Sequence, residues 1–148
     1  MPHPLDLPLR RLDPALPLPS YARAGDAGAD LVAREPAVIA PNGGRALIPT
    51  GIALAIPEGY AGFVVPRSGL ALLHGVTCLN TPGLIDAGYR DEVKCLLINH
   101  DPVRPYRVER GDRIAQLVIL RVAQIRFMPV DELAASERGT GGFGHSGR

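Results

Sequence analysis

Short apolar runs recur along this chain and are cut at close intervals by Pro, Gly, Asn or Asp. They fall at 37–40, 45–48, 52–56, 62–65, 76–79, 93–99, 106–108 and 114–119. Runs of this length, rich in Val, Ile and Leu and bounded by turn formers, predict strands. Their spacing suits a β-sandwich or barrel and not a chain of βαβ units. PNGGR at 41–45 contains Asn-Gly and predicts a hairpin turn, and IPEGY at 56–60 predicts another turn. Two stretches read as helical. SGLALLHG at 68–75 has Ser68 placed as an N-cap and Gly75 as a stop, enough for about two turns. VDELAASER at 130–138 offers Asp131 as an N-cap for a single turn. The first 20 residues alternate Leu with Pro and read as a stiffened lead-in that ends in a first strand. The division expected is a β domain over 1–136 and a mobile Gly-rich arm over 137–148.

Composition supports one folded unit. With 148 residues, 46% of them hydrophobic, a single self-standing core is expected. The 17 Gly and 15 Pro are scattered between the apolar runs. The 16 basic and 15 acidic residues are dispersed and leave a net charge of +1. Such a balance provides no long-range field for nucleic acid or an anionic membrane. Any anionic ligand must then be held locally, by arginines and backbone N–H groups. Cys78 and Cys95 sit in apolar runs without metal-ligand spacing and read as buried free thiols. Charges interrupt the lead-in and no run reaches membrane-spanning length. A soluble, cytoplasmic protein is expected.

Four stretches carry candidate chemistry. In VPRSGLALLHG, at 65–75, a strand ends at Pro66 and Arg67-Ser68-Gly69 opens a helix. Free N–H groups there, a hydroxyl, a guanidinium and a glycine that permits close approach make a phosphate cradle. The plainer reading is a capped helix with a solvated arginine. In NTPGLIDAGYRDEVKCLLIN, at 80–99, two turns flank Leu84-Ile85 and Tyr89 starts a return strand, giving a small hairpin with Asp86 near its tip. Asn80, Asp86 and Tyr89 then share one loop, although Asp86 alone reads equally as a turn-stabilising residue. In ERGDRIAQLVI, at 109–119, Gln116 interrupts an apolar strand, and its amide needs a partner, either backbone or a ligand oxygen. AGDAGADL, at 24–31, sets Asp30 before Leu31-Val32. That is a turn, or a carboxylate near a hydrated metal ion. No Walker A loop, nucleophile elbow, H-E-x-x-H or C-x-x-C occurs. His3, His74, His100 and His145 show no ligand spacing and read as surface or loop residues.

Taken in order, AGDAGADL, PRSGLA, NTPGLIDAGYRDE, RGDRIAQL and RGTGGFGHSG resemble the homotrimeric dUTPase family over residues 5–147. Each piece alone is weak; all five in register are specific. The resemblance implies a β jelly roll closed as a barrel, assembled as a homotrimer with active sites at subunit interfaces. The implied reaction is hydrolysis of dUTP to dUMP and pyrophosphate with Mg²⁺ on the triphosphate. By the same resemblance Asp86 is the catalytic carboxylate that activates water. Asn80, Leu84 and Ile85 read the base edge, Tyr89 stacks under the sugar, and Lys94 contributes backbone contacts to the base. Arg67, Ser68, Gly69 and Gln116 bind phosphate, and Asp30 touches the metal through water. Arg138, Gly142 and Phe143 belong to an arm that closes over the ligand from another subunit. The chain departs from the family at Asp91, where the family has glycine, and a positive φ there would be uncomfortable for Asp. Two other readings share the scaffold. A dCTP deaminase matches less well at the Phe-bearing arm and at Asp86-x-x-Tyr89, and a non-catalytic uridine-nucleotide-binding module has no need of Asp86.

Overall fold

The computed structural model describes residues 4–147, so His3 lies outside it. Its strands are β1 (Leu9–Arg11), β2 (Ala29–Val32), β3 (Ala37–Ile39), β4 (Gly44–Leu54), β5 (Tyr60–Val65), β6 (Val76–Cys78), β7 (Gly83–Ile85), β8 (Glu92–Asn99), β9 (Tyr106–Val108) and β10 (Arg113–Arg121). One helix, α1 (Ser68–His74), lies between β5 and β6. One sheet has the order β1-β4-β8-β6, a second β2-β10-β5-β7, and β3 pairs with β9 apart from both. Every pairing is antiparallel and most strand neighbours are distant in sequence. This is the all-β, jelly-roll-like architecture that was expected. Among the described residues no helix is long and apolar enough to cross a membrane.

The core lies between the sheets, where Leu31, Ile39, Ile48, Leu97, Val108 and Ile114 are each at most 1% exposed. Inward and outward positions alternate along β2, where Ala29 and Leu31 are buried and Asp30 and Val32 are not fully so. Strand β8 is buried almost throughout, because it has neighbours on both edges and a sheet over its inner face.

Several local expectations are revised. The runs at 45–48 and 52–56 belong largely to one strand, β4, which continues through Pro49 and bulges between Pro49 and Ala53 against β8. The Asn42-Gly43 turn forms with both residues at positive φ, 56° and 91°. It does not close a hairpin, because β3 pairs with β9 and β4 with β8. The turn is held instead from across the fold. Asn42 N donates to Asp101 O at 2.7 Å and Gly43 N to Asn99 O at 2.8 Å. The 80–89 segment is likewise not a paired hairpin: β7 pairs with β5, Tyr89 precedes β8, and the loop at 86–91 crosses from one sheet to the other.

The lead-in carries its strand, β1, in the middle, and Ser20 then bridges Asp30. Arg67, not Ser68, occupies the N-cap of α1, with extended φ and ψ of −93° and 127° and no side-chain cap bond. Gly75 stops the helix in the left-handed region, as expected, at φ 67°. Residues 130–138 form bends and a turn and no helix. Their apolar side chains Val130 and Leu133 are exposed, so no packed face supports a single marginal turn.

Cys78 and Cys95 are buried and free, on β6 and β8. Burial pushes the Cys78 thiol up to about 11. Burial, and then the nearby Cys78, push Cys95 higher still. At pH 8 Cys78 is then thiolate on the order of once in a thousand molecules. Titration of the native protein with a thiol reagent at pH 8 is therefore expected to find neither cysteine within minutes, and both after denaturation. Rapid native modification of either would contradict the packing of β6 on β8.

Candidate active site

A cavity of about 400 Å³ opens where the two sheets meet, lined by Asn80, Gly83, Leu84, Ile85, Asp86, Tyr89, Val93 and Lys94, with Leu47, Val64 and Leu96 beneath. Its construction follows from topology. Strand β7 is the edge of the second sheet, so one side of its backbone is left without a strand partner. Strand β8 of the first sheet forms the facing wall. Between them runs the crossing loop, with Asp86 at its start and Tyr89 folded back on it. Tyr89 N donates to Asp86 O at 3.1 Å, and the Tyr89 hydroxyl donates to Glu92 O at 2.9 Å. Asn80 packs against Gly83 so closely that a Cβ on Gly83 would stand 3.2 Å from Asn80 Nδ2. Six residues expected at a base-and-sugar pocket, Asn80, Leu84, Ile85, Asp86, Tyr89 and Lys94, are thus brought into one cavity. Asp91 is comfortable in place of glycine. It is not among the positive-φ residues, and its Oδ1 accepts the N–H of Glu92 at 2.7 Å.

Arg67, Gln116 and Asp30 gather elsewhere. Asp30 on β2 pairs in register with Gln116 on β10, which pairs in register with Val65 at the end of β5. Arg67 follows two residues after Val65 and opens α1. The Asp30 carboxylate lies between two guanidinium groups, 3.8 Å from Arg67 Nε and 3.7 Å from Arg113 Nη1. Arg67 Nη1 also donates to Arg113 O at 3.1 Å. Ser68 is exposed, and a Cβ on Gly69 would meet nothing within 4 Å. Packing in this chain therefore does not require glycine at 69. Strands stand about 4.8 Å apart, so Asp30 on β2 lies roughly 14 Å from β7 across the sheet, and none of Asp30, Arg67, Ser68, Gly69, Arg113 and Gln116 lines the Asp86 cavity. The candidate residues thus fall into two separate clusters within one chain.

A third group belongs to neither. After β10 the chain has no regular element through residue 147, and Ile125, Phe127, Met128, Val130 and Leu133 are exposed. Arg138 Nε donates to Gly141 O at 2.6 Å, a local bond within the arm. Phe143 is fully exposed and sits at φ 47°, a region an aromatic residue seldom adopts. Gly142 precedes it and is partly buried.

Comparisons with known proteins place the chain in a family. The dUTPase family model matches residues 15–147. The chain belongs to the dUTPase family. It is 61% identical over 139 residues to the deoxyuridine 5'-triphosphate nucleotidohydrolase of Thermobifida fusca, covering 94% of this chain and 77% of that protein. It is 56% identical over 146 residues to the enzyme of the same name from Gloeobacter violaceus, covering 97% and 98% of the two. Among solved structures, the dUTPase of Staphylococcus bacteriophage 80alpha with dUPNHPP superposes with a TM-score of 0.86 at 31% identity, over 97% of this chain and 99% of that one. A variant dUTPase from phage phi11 of S. aureus, described for its coordination of a structural Mg(II) ion, gives 0.79 at 26% identity, over 88% and 100%.

Several residues of this dUTPase site went unselected in the sequence. Gly83 was only a turn former there, and Val64, Leu47, Val93 and Leu96 were only members of apolar strand-like runs, yet all line the cavity. Arg113 was part of a motif but not singled out, although it faces Asp30. Gly28, within AGDAGADL, abuts Gln116: a Cβ there would lie 3.0 Å from Gln116 Cβ and 3.1 Å from its Cδ. The only advance signal was a glycine two residues before a strand aspartate. Gly28→Ala is expected to displace the Gln116 side chain and to destabilise the protein by about 1–3 kcal/mol. Urea unfolding checks this, and an unchanged midpoint would show that Gln116 is free to move aside.

Proposed function

We propose that this chain hydrolyses dUTP to dUMP and pyrophosphate, in sites completed by copies of itself. The observation that carries the reading is Asp86 on the rim of a cavity walled by a strand edge, Tyr89 and Asn80. A free strand edge offers N–H and C=O groups in fixed alternation, which suits the complementary edge of uracil and refuses the amino group of cytosine. Thymine differs by one methyl. Loose pocket fit rejects it by about 1–3 kcal/mol, and a rigid backbone wall rejects it by clash. Tyr89, its hydroxyl tied to Glu92 O, presents its ring to the sugar and leaves no room for a 2′-hydroxyl.

Asp86 accepts a proton from water as the water oxygen attacks the α-phosphorus. The bond from that phosphorus to the oxygen bridging to the β-phosphate breaks, and pyrophosphate leaves. Arg67, Ser68, Gly69 and Gln116 of a second copy bind the phosphates, and Arg138, Gly142 and Phe143 of a third close over the nucleotide. Two features support assembly: the half-sites lie on separate parts of one chain, and the segment after β10 exposes apolar side chains that nothing among the described residues covers. A homotrimer satisfies both.

The metal reading follows the donors present. Among the described residues no group of three or more His, Cys, Asp or Glu side chains is placed to hold a metal ion. The Asp30 carboxylate already faces two arginines. These donors fit Mg²⁺ held mainly by the triphosphate, with Asp30 touching it through water. When bound, Mg²⁺ supplies neutralisation of phosphate charge.

Asp86→Asn is expected to bind a non-hydrolysable dUTP analogue within a few-fold of the parent while kcat falls by about 10²–10⁴. Near-normal turnover would remove Asp86 from the chemistry. The same assay run on dUTP, dCTP, dTTP and UTP separates the alternatives, since ammonia from dCTP without pyrophosphate from dUTP would indicate a deaminase. Deleting residues 137–148 should leave fold and assembly intact by circular dichroism and sedimentation and lower kcat by about 10²-fold. Normal turnover by the truncated protein would mean that the arm has no part in the site.

A further inference from the structure

We infer that Glu92, held by Arg34, is a positioning residue that sets the Tyr89 wall and with it the sugar selectivity of the site. Glu92 is the one buried charged residue among the described residues, at 9% exposure. A carboxylate in such a place is stable only when its oxygens are satisfied. Here they are. Arg34 Nη1 donates to both oxygens, at 3.0 and 3.3 Å, and Gly51 N donates to Oε2 at 2.9 Å. Gly51 presents that N–H because the β4 bulge sets it at φ 77°. The backbone of Glu92 is equally committed, its N–H to Asp91 Oδ1 and its C=O to the Tyr89 hydroxyl.

Arg34 is held in turn from three directions. Its Nη2 donates to Leu12 O at 3.3 Å, its Nε lies 3.6 Å from Asp13, and its own C=O accepts Arg110 Nη1 at 2.8 Å. Arg110 also pairs with Asp13. The lead-in, the β2–β3 turn, the β4 bulge and the β9–β10 turn therefore converge on one carboxylate. That carboxylate stands at the point where the crossing loop re-enters the sheet. From Glu92 the path into the cavity is short: Glu92 C=O orients the Tyr89 ring through its hydroxyl, and Tyr89 N closes the turn on Asp86 O. Neither Glu92 nor Arg34 lines the cavity.

The inference rests on the dUTP-hydrolysis reading. Its test compares kcat/KM for dUTP and UTP in the parent, Glu92→Gln, Tyr89→Phe and the double variant. Glutamine keeps the shape of Glu92 but not its charge. Glu92→Gln is expected to lower the dUTP:UTP preference about tenfold, mostly through KM. Tyr89→Phe should do the same, and the double variant should be no worse than either single one, because both act through one ring. A merely structural role for Glu92 would lower thermal stability and leave the preference unchanged. Should Glu92→Gln fail to fold by circular dichroism, Arg34→Lys at the more exposed end of the pair carries the same comparison, with a smaller loss expected. An unchanged preference in the folded variant, or fully additive losses in the double variant, overturns the positioning role. A parent protein inert on dUTP would instead overturn the reading of function.

Discussion

Strand β8 is hydrogen-bonded on both edges, to β4 along most of its length and, on the other edge, to β6 over Leu97–Asn99. Most of what the site requires is referred to this ladder. Its inner face supplies Val93, Cys95 and Leu97 to the core, while Lys94, pointing the other way, reaches the cavity. Its register against β4 is locked at the bulge, where Thr50 Oγ1 donates to Val93 O at 2.6 Å and Gly51 N donates to Glu92. A one-residue slip would exchange the two faces and bury Lys94. The same bulge fixes where the crossing loop ends, and so where Tyr89 and Asp86 stand.

A strand edge cannot serve two ligand parts at once, and this fold spends its edges separately. The β7 edge faces the cavity beside β8, while the row Asp30–Gln116–Val65 starts at β2, the opposite edge of the same sheet, and leads to Arg67. In the proposed assembly this separation becomes an asset, because each nucleotide lies across a subunit boundary and water is excluded by closure between copies. It also gives the Asp30 cluster a purpose within one chain. A carboxylate between two guanidinium groups holds Arg67 and Arg113 side by side at the end of β5. The arm fits the same scheme, since exposed Phe127, Leu133 and Phe143 make poor neighbours for water and suitable ones for another copy.

The local features were legible in the residues themselves. Asn42-Gly43 announced a turn because few other pairs accept two positive φ values, and Gly75 announced a helix stop for the same reason. The Val, Ile and Leu runs at 62–65, 93–99 and 106–108 announced strands because a half-buried pleated surface favours them. The motif set in register announced the family, and with it the clustering of Asn80, Asp86 and Tyr89. What the residues did not disclose was partnership. Pro49 hid the continuity of β4, since a proline ends most strands and is tolerated here beside a bulge. The 80–89 segment looked like a hairpin because its ends are near in sequence, yet β7 is claimed by β5 and β8 by β4.

The sequence by itself thus determined where the chain turns, which runs are apolar enough to become strands, and which family its motifs belong to. These depend on side chains within a few residues of one another, or on a pattern that survives as letters. Only the tertiary structure decided which strand lies beside which, that Glu92 is buried against Arg34 and Gly51, that Gly28 makes room for Gln116, and that the candidate site residues fall into two separate clusters and an arm. Each of those depends on contacts between segments tens of residues apart, whose energies are set by burial and by completing hydrogen bonds across the whole fold. No local pattern encodes them.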